Sequence, residues 1–251
     1  MRDKKKFLFA CGVGRSGTTA LCEALNLHDK IVMGVERYKY RMIGKSFLEV
    51  GPELYEKERF FNYQPEDTNV RIHDSAKYGS VYDAARAKFD DVVYVGDKTP
   101  GLYKHLPQLQ EHFPGCKVIY IMREPDNVAF SWQIRANKNR DNWPNYNDYK
   151  AAVEQWNLSL EIVENQMPNW GDNLILVNYE TMFGQDAKTL FPELLKQLRL
   201  DPNLNLALDA FLNKSEQIAN RERDIPNYIR DYVAKNANIR RFERLKAVLQ
   251  F

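Results

Sequence analysis

The stretch Gly12-Val13-Gly14-Arg15-Ser16-Gly17-Thr18-Thr19 carries the densest anion-binding chemistry in this 251-residue chain. Its glycines let the backbone curl so that several N–H groups face one anion, and a helix beginning there would add its positive end. Arg15 brings a full charge, and Ser16, Thr18 and Thr19 bring hydroxyls. The other reading is a plain glycine-rich turn. Gly12 and Gly17 have the spacing of a Walker loop, but Thr18 stands where that loop needs Lys, and the cation, Arg15, sits inside the loop.

A second set is Arg123 with Ser131 eight residues later, separated by Glu124-Pro125-Asp126-Asn127-Val128. Pro125 suits the first turn of a helix, and along such a helix the two can converge on one anion. An arginine at a strand end also serves in surface ion pairs. Glu36, at the carboxyl end of a short strand, can take a proton from a substrate hydroxyl, or simply pair with Arg37 or Arg15. Lys98, at a strand end, is a further cation on the same side of the sheet, or a surface lysine paired with Asp97. His28, His73, His105 and His112 are rivals for the base, and spacing identifies a partner for none of them.

These residues need elements to hold them. Phe7–Cys11, Ile31–Met33, Val92–Val95, Lys117–Met122 and Leu174–Val177 read as short buried strands. Between or after them, helices are expected over Thr18–Leu27, Leu102–Phe113, Pro125 to about Asn139, Val153–Met167 and Leu190–Leu198. Short apolar strands alternating with helices predict an α/β fold, a central parallel sheet with helices on both faces. Ligands of such sheets lie beyond the carboxyl ends of the strands, which points to residues 12–19, 34–38, 96–100, 123–127 and 178–180.

Hydrophobic residues make up 44% of the chain and charged residues 28%, which suits a packed core. No repeat or linker-like tract divides residues 1–251, so one domain is expected. Lys plus Arg is 36 and Asp plus Glu is 34, a net charge of +2 that argues against a long polyanion such as nucleic acid as the main partner. No apolar run approaches the roughly 18 residues of a membrane span. Lys4-Lys5-Lys6 before Phe7-Leu8-Phe9-Ala10 imitates a signal peptide but lacks a cleavage site, so a first strand is the better reading. Cys11, Cys22 and Cys116 form no metal-ligand spacing and no disulfide framework, consistent with a reduced, cytoplasmic chain.

Taken together, Gly14-Arg15-Ser16-Gly17-Thr18-Thr19 with Arg123-Glu124-Pro125 and Ser131 resembles the sulfotransferases that use 3′-phosphoadenosine 5′-phosphosulfate (PAPS). Gly96-Asp97-Lys98-Thr99-Pro100 and Val177-Asn178-Tyr179-Glu180 resemble further segments of that family, and Glu36 matches the position of the base in the tyrosylprotein sulfotransferases. The resemblance covers about residues 7–183. It implies a P-loop-containing nucleotide-binding fold and sulfuryl transfer to a hydroxyl or amine. It implies a 5′-phosphate site at Gly14, Arg15, Ser16, Gly17, Thr18 and Thr19, and a 3′-phosphate site at Arg123 and Ser131. Tyr179 would lie near the adenosine, or be a core tyrosine. Arg230 and Ser215 fall where the family often closes over the cofactor, and Arg221, Arg223, Arg240 and Arg241 compete with them. Glu36, Lys98 and Arg15 would carry the chemistry, with 3′,5′-adenosine bisphosphate (PAP) as the product. A side-chain cation would stand in for a metal, so no metal is expected.

The acceptor stays open among small molecules, saccharides, lipids and peptides. Ten aromatics in residues 37–90 could line a cleft or form core, and 137–143 could be a lid or an ordinary helix-end loop. A small-molecule kinase and a non-catalytic nucleotide- or RNA-binding module are the competing functions.

Overall fold

The computed structural model describes residues 5–43, 47–70, 76–138, 143–219 and 223–249. Five strands, β1 (Lys6–Cys11), β2 (Ile31–Val35), β3 (Tyr94–Lys98), β4 (Lys117–Met122) and β5 (Leu174–Asn178), pair in parallel in the order β2-β3-β1-β4-β5. Successive strand residues feed two different cores. Phe9, Val32, Val118 and Tyr120 enter one, and Leu8, Ala10, Ile31, Ile119 and Ile175 enter the other. A sheet buried on both faces needs continuous apolar strands rather than alternating ones, which is why these segments stand out in the sequence.

In chain order the helices are α1 (Thr18–Asn26), α2 (Lys39–Met42), α3 (Lys57–Phe61), α4 (Ala76–Lys88), α5 (Leu106–His112), α6 (Pro125–Ala136), α7 (Tyr149–Trp170), α8 (Tyr179–Met182), α9 (Ala187–Gln197), α10 (Leu206–Ala219), α11 (Asn227–Asn236) and α12 (Ile239–Ala247). Helices α1, α9 and α10 cover one face through Leu21, Leu25, Phe191, Leu194, Leu208 and Leu212. On the other face α5, α7, α11 and α12 contribute Leu109, Trp156, Leu160, Ile229 and Phe242. The fold is therefore the expected α/β, P-loop-like arrangement.

Several boundaries differ from the sequence expectation, and three of them bear on the site. The strand expected over 92–95 is Tyr94–Lys98, so Gly96 lies inside it rather than ending it. A Cβ on Gly96 would sit 1.5 Å from the Leu8 carbonyl oxygen, so this glycine allows β3 to lie close against β1. The single helix expected over 102–113 is a 3₁₀ turn, Pro100–His105, followed by α5. Pro107 is the cause: it falls in the first turn of α5, where a missing N–H costs nothing, rather than in a helix interior. Helix α6 ends at Ala136, short of Asn139.

The aromatics between β2 and β3 are mostly core. Tyr38, Phe47, Tyr55, Phe60, Tyr82 and Phe89 are buried, and the Tyr55 ring meets Phe7, Phe9 and Phe113 edge to face. Only Tyr40 among the large aromatics described in this stretch is substantially exposed.

Candidate active site

The carboxyl ends of β1, β2 and β3 open on one cleft. The loop after β1 is fixed from outside: Gly12 N–H donates to the Pro100 carbonyl at 3.0 Å and Trp132 Nε1 to the Gly14 carbonyl at 2.7 Å. Gly17 precedes α1 at φ 97°, and a Cβ there would meet the Tyr179 ring at 2.2 Å, so both backbone and space demand glycine. No side chain caps α1. The first-turn N–H groups of a helix have no partner within it, so the start of α1 presents donors and a positive end to the cleft.

Glu36 follows β2 in the left-handed region at φ 52°, and its N–H donates to the Lys98 carbonyl at 2.8 Å. Its Oε1 lies 3.1 Å from Lys98 Nζ and its Oε2 3.0 Å from Lys39 Nζ. Burial pushes the Glu36 carboxyl up, but Lys98 and Lys39 outweigh it and hold it below the ordinary carboxylate value. Lys98 is almost fully buried and turns to Glu36, so neither simple pairing considered for these two (Glu36 with Arg37 or Arg15, Lys98 with Asp97) is the arrangement found. Arg37 instead runs into the core, where Asp67 takes its Nη1 at 2.8 Å and the Phe60 carbonyl its Nε at 2.8 Å. Asp67 also holds Arg41 and Arg59, at 2.7 and 2.6 Å.

The cleft, of about 760 Å³, is lined by Gly14, Arg15, Thr18, Thr19, Glu36 and Lys98, and also by Lys39, Asn69, Arg135 and Trp143. A second cavity of about 560 Å³ adjoins it, lined by Arg15, Arg123, Ser131, Ile134, Arg135, Lys138 and Arg223. Arg15 and Arg135 border both. Five of the seven residues lining the second cavity are cations and none is acidic. Arg15 Nε donates to Ser131 Oγ at 3.0 Å. Arg123 is buried, with its guanidinium 4.0 Å above the Tyr179 ring and its Nη1 donating to the Arg15 carbonyl at 3.2 Å. Its Nε has no hydrogen bond, the nearest carboxylate oxygen, of Glu180, lying 3.6 Å away. Burial pulls this guanidinium below its ordinary value; Arg223 and Arg15 push the same way, against Tyr179 and Glu180. An anion bound here would relieve that repulsion.

The structure thus brings Arg15, Thr18, Thr19, Glu36 and Lys98 to one cleft and Arg123 with Ser131 to the next. Ser16 and Gly17 shape the loop from buried or strained positions. Tyr179 is a buried residue that floors the guanidinium of Arg123. Arg230 lines neither cavity: it is exposed, and its Nε donates to the Ile225 carbonyl. Arg223, one of its competitors, takes the place in the second cavity. Ser215 is buried on α10, Arg241 pairs with Glu161 and Glu164, and Arg221 lies outside the described residues. None of the three described histidines lines either cavity, and His73 lies outside the described residues. Of the lid-like stretch 137–143, residues 139–142 lie outside them too, while Trp143 walls the cleft and carries the Arg135 guanidinium at 4.4 Å. Arg135 and Lys138 escape the sequence reading; Arg135 lies one turn after Ser131 on α6, the spacing that could have found it, whereas Lys138 lies two residues beyond the helix end. Among the described residues no group of three or more His, Cys, Asp or Glu gathers, and no helix is long and apolar enough to cross a membrane.

The sulfotransferase family model matches residues 8–201, which includes every residue of the cleft and all of the second cavity except Arg223. Protein-tyrosine sulfotransferase A of Caenorhabditis elegans is 26% identical over 245 residues, covering 93% of this chain. The chain spans 59% of the length of that relative. The sulfotransferase domain of the Synechococcus PCC 7002 olefin synthase superposes with a TM-score of 0.51 at 17% identity, over 94% of this chain and 96% of that one. A sulfotransferase from Alicyclobacillus acidocaldarius gives 0.51 at 16% identity, over 88% and 98%. At such identities these structures show a shared fold.

Proposed function

Because the chain belongs to the sulfotransferase family, we propose that it transfers a sulfuryl group from PAPS to a hydroxyl or amine held in the cleft beside Glu36. One observation carries this reading: a cavity walled by cations adjoins a cleft holding a carboxylate–lysine pair, and the two share Arg15 and Arg135. The residues present fit the donor. The uncapped start of α1 with Arg15 suits its 5′-phosphate, and Arg123, Ser131 and Arg223 suit its 3′-phosphate. The orphaned Nε of buried Arg123 is a donor still to be satisfied.

Bound there, PAPS would supply the activated sulfuryl group. Glu36, ionised at neutral pH because Lys98 and Lys39 flank it, accepts the proton of the attacking hydroxyl at a carboxylate oxygen. Lys98 offsets the charge that grows on the departing phosphate oxygen, and Arg15 with the α1 N–H groups shares it. These groups are held before substrate arrives, so little reorganisation is needed during transfer. The acceptor is held by the same cleft, whose other walls include Lys39, Asn69, Arg135 and Trp143. We read it as a hydroxyl-bearing small molecule, saccharide or peptide.

Thermal unfolding with PAP, ADP and ATP, each with and without Mg²⁺, tests the donor. A ligand at 100 times its Kd adds about 2.7 kcal/mol, a rise of roughly 5–10 °C for a chain of this size. PAP should give that rise irrespective of Mg²⁺. A rise with Mg-ATP alone would replace the proposal with a kinase.

A further inference from the structure

We infer that Asp97 is the positioning residue of this site, a buried carboxylate that holds the backbone turn on which Glu36 is presented to the acceptor. The inference rests on the reading of Glu36 as the base.

Asp97 is fully buried in β3, one residue before Lys98. Its Oδ1 accepts the Arg37 N–H at 3.0 Å, and its Oδ2 accepts the Tyr38 N–H at 3.1 Å and the Thr99 hydroxyl at 3.2 Å. Thus the two residues that follow Glu36 are tied by their backbones to the carboxylate of one strand residue, and Glu36 itself is tied by its N–H to the Lys98 carbonyl. The turn needs such ties. Glu36 is one of three non-glycine residues with positive φ among the described residues, a conformation that costs a side-chain-bearing residue free energy and persists only when its surroundings over-determine it.

The physics of the carboxylate points the same way. Burial pushes Asp97 up to about 6, while the Arg37 and Tyr38 amides and Lys98 pull against that rise. A neutral side chain would satisfy the core more easily than a buried charge, so retaining the carboxylate needs a reason. Two convergent backbone N–H groups supply one, since both need an acceptor and an ionised carboxylate presents two oxygens that only accept. Asp97 and Lys98 are consecutive, so β3 sets both members of the Glu36–Lys98 pair. Lys98 contacts the carboxylate directly, and Asp97 fixes the backbone from which it projects.

Asp97→Asn tests this. Asparagine keeps the shape but replaces one acceptor by an NH₂ that faces a backbone or hydroxyl donor. Four proteins are compared: wild type, Asp97→Asn, Glu36→Gln and the double variant, each assayed for PAP binding, kcat and donor KM. Glu36→Gln should lower kcat by about two orders of magnitude or more with PAP binding kept, the usual scale for a general base. Unchanged turnover in that variant would sink the base reading itself. Asp97→Asn should lower kcat about tenfold or more, with donor KM and PAP affinity within about twofold of wild type, and should add less than about twofold to the loss in Glu36→Gln, because groups acting as a unit are not additive.

Unchanged kcat in folded Asp97→Asn would overturn the proposal. So would PAP binding lost together with activity, or losses that multiply in the double variant, since each would give the carboxylate a role separate from the base. If Asp97→Asn shows no cooperative unfolding transition, Thr99→Val, which removes the third donor on the same carboxylate, carries the same comparison, with a smaller kcat loss expected and again absent in the Glu36→Gln background.

Discussion

At the scale of single residues, the surroundings of the Arg123 guanidinium suit the 3′-phosphate contact proposed for it. The guanidinium sits 4.0 Å over the Tyr179 ring, gives one N–H to the loop carbonyl of Arg15, and keeps its buried Nε without a hydrogen bond. Its neighbours Arg15 and Arg223 crowd it with like charge. A charge-assisted hydrogen bond is worth about 1.5–3 kcal/mol, so Arg123→Ala should weaken PAP by about tenfold or more. ADP, which has no 3′-phosphate, should lose little. Titrating both ligands checks this, and equal losses would remove Arg123 from the 3′-phosphate site. Lysine should not rescue the variant, since an ammonium can neither lie flat on the tyrosine nor present a planar fork.

At the scale of elements, the segment between β2 and β3 is anchored by Asp67. This fully buried carboxylate binds Arg37, Arg41 and Arg59, and it precedes Thr68 and the Asn69 that walls the cleft. Burial pushes Asp67 up, but the three arginines prevail and hold it at about 2. Its contribution to stability is therefore complete above the unfolded-state value near 3.8 and is lost as pH falls toward 2. Asp67→Asn strands buried guanidinium charge and should cost about 3–5 kcal/mol at neutral pH. The melting midpoint of wild type should drop between about pH 4 and pH 2 more steeply than that of the variant. Calorimetry across that range decides it.

The legibility of these elements follows from what makes each one. β4, Lys117–Met122, is readable because five consecutive apolar residues lie between Gly115 and Pro125. β3 is ended three residues early because Gly96, Asp97 and Lys98 look like a loop, and only the close approach to Leu8 and the buried bonds of Asp97 make them strand. Glu36, Lys98, Arg15 and Arg123 can be proposed from the sequence because they stand in a loop or at strand ends, and Ser131 because it lies within the helix that follows Arg123. Asp97 and Arg37 are invisible to such arguments, since their roles depend on partners dozens of residues away.

At the scale of the whole molecule, a net charge of +2 hides a strongly uneven distribution. Positive charge is concentrated on the second cavity, where protein walls limit screening by water and focus the field on a small anion. PAP affinity should therefore fall several-fold when ionic strength is raised from about 0.05 M to about 0.5 M, as the Debye length shrinks. Isothermal titration at the two salt concentrations measures it, and a flat response would mean that hydrogen bonding rather than charge dominates. The strand order has a consequence for how the chain is made. Central strand β1 waits for both of its neighbours: Lys6 pairs with Tyr94 and Leu8 with Lys117. Ribosomes add about 5–20 residues per second, so β1 and the loop after it leave the tunnel several seconds before either side of the sheet exists to receive them. In that interval an apolar strand with open edges is a target for chaperones and for other nascent chains.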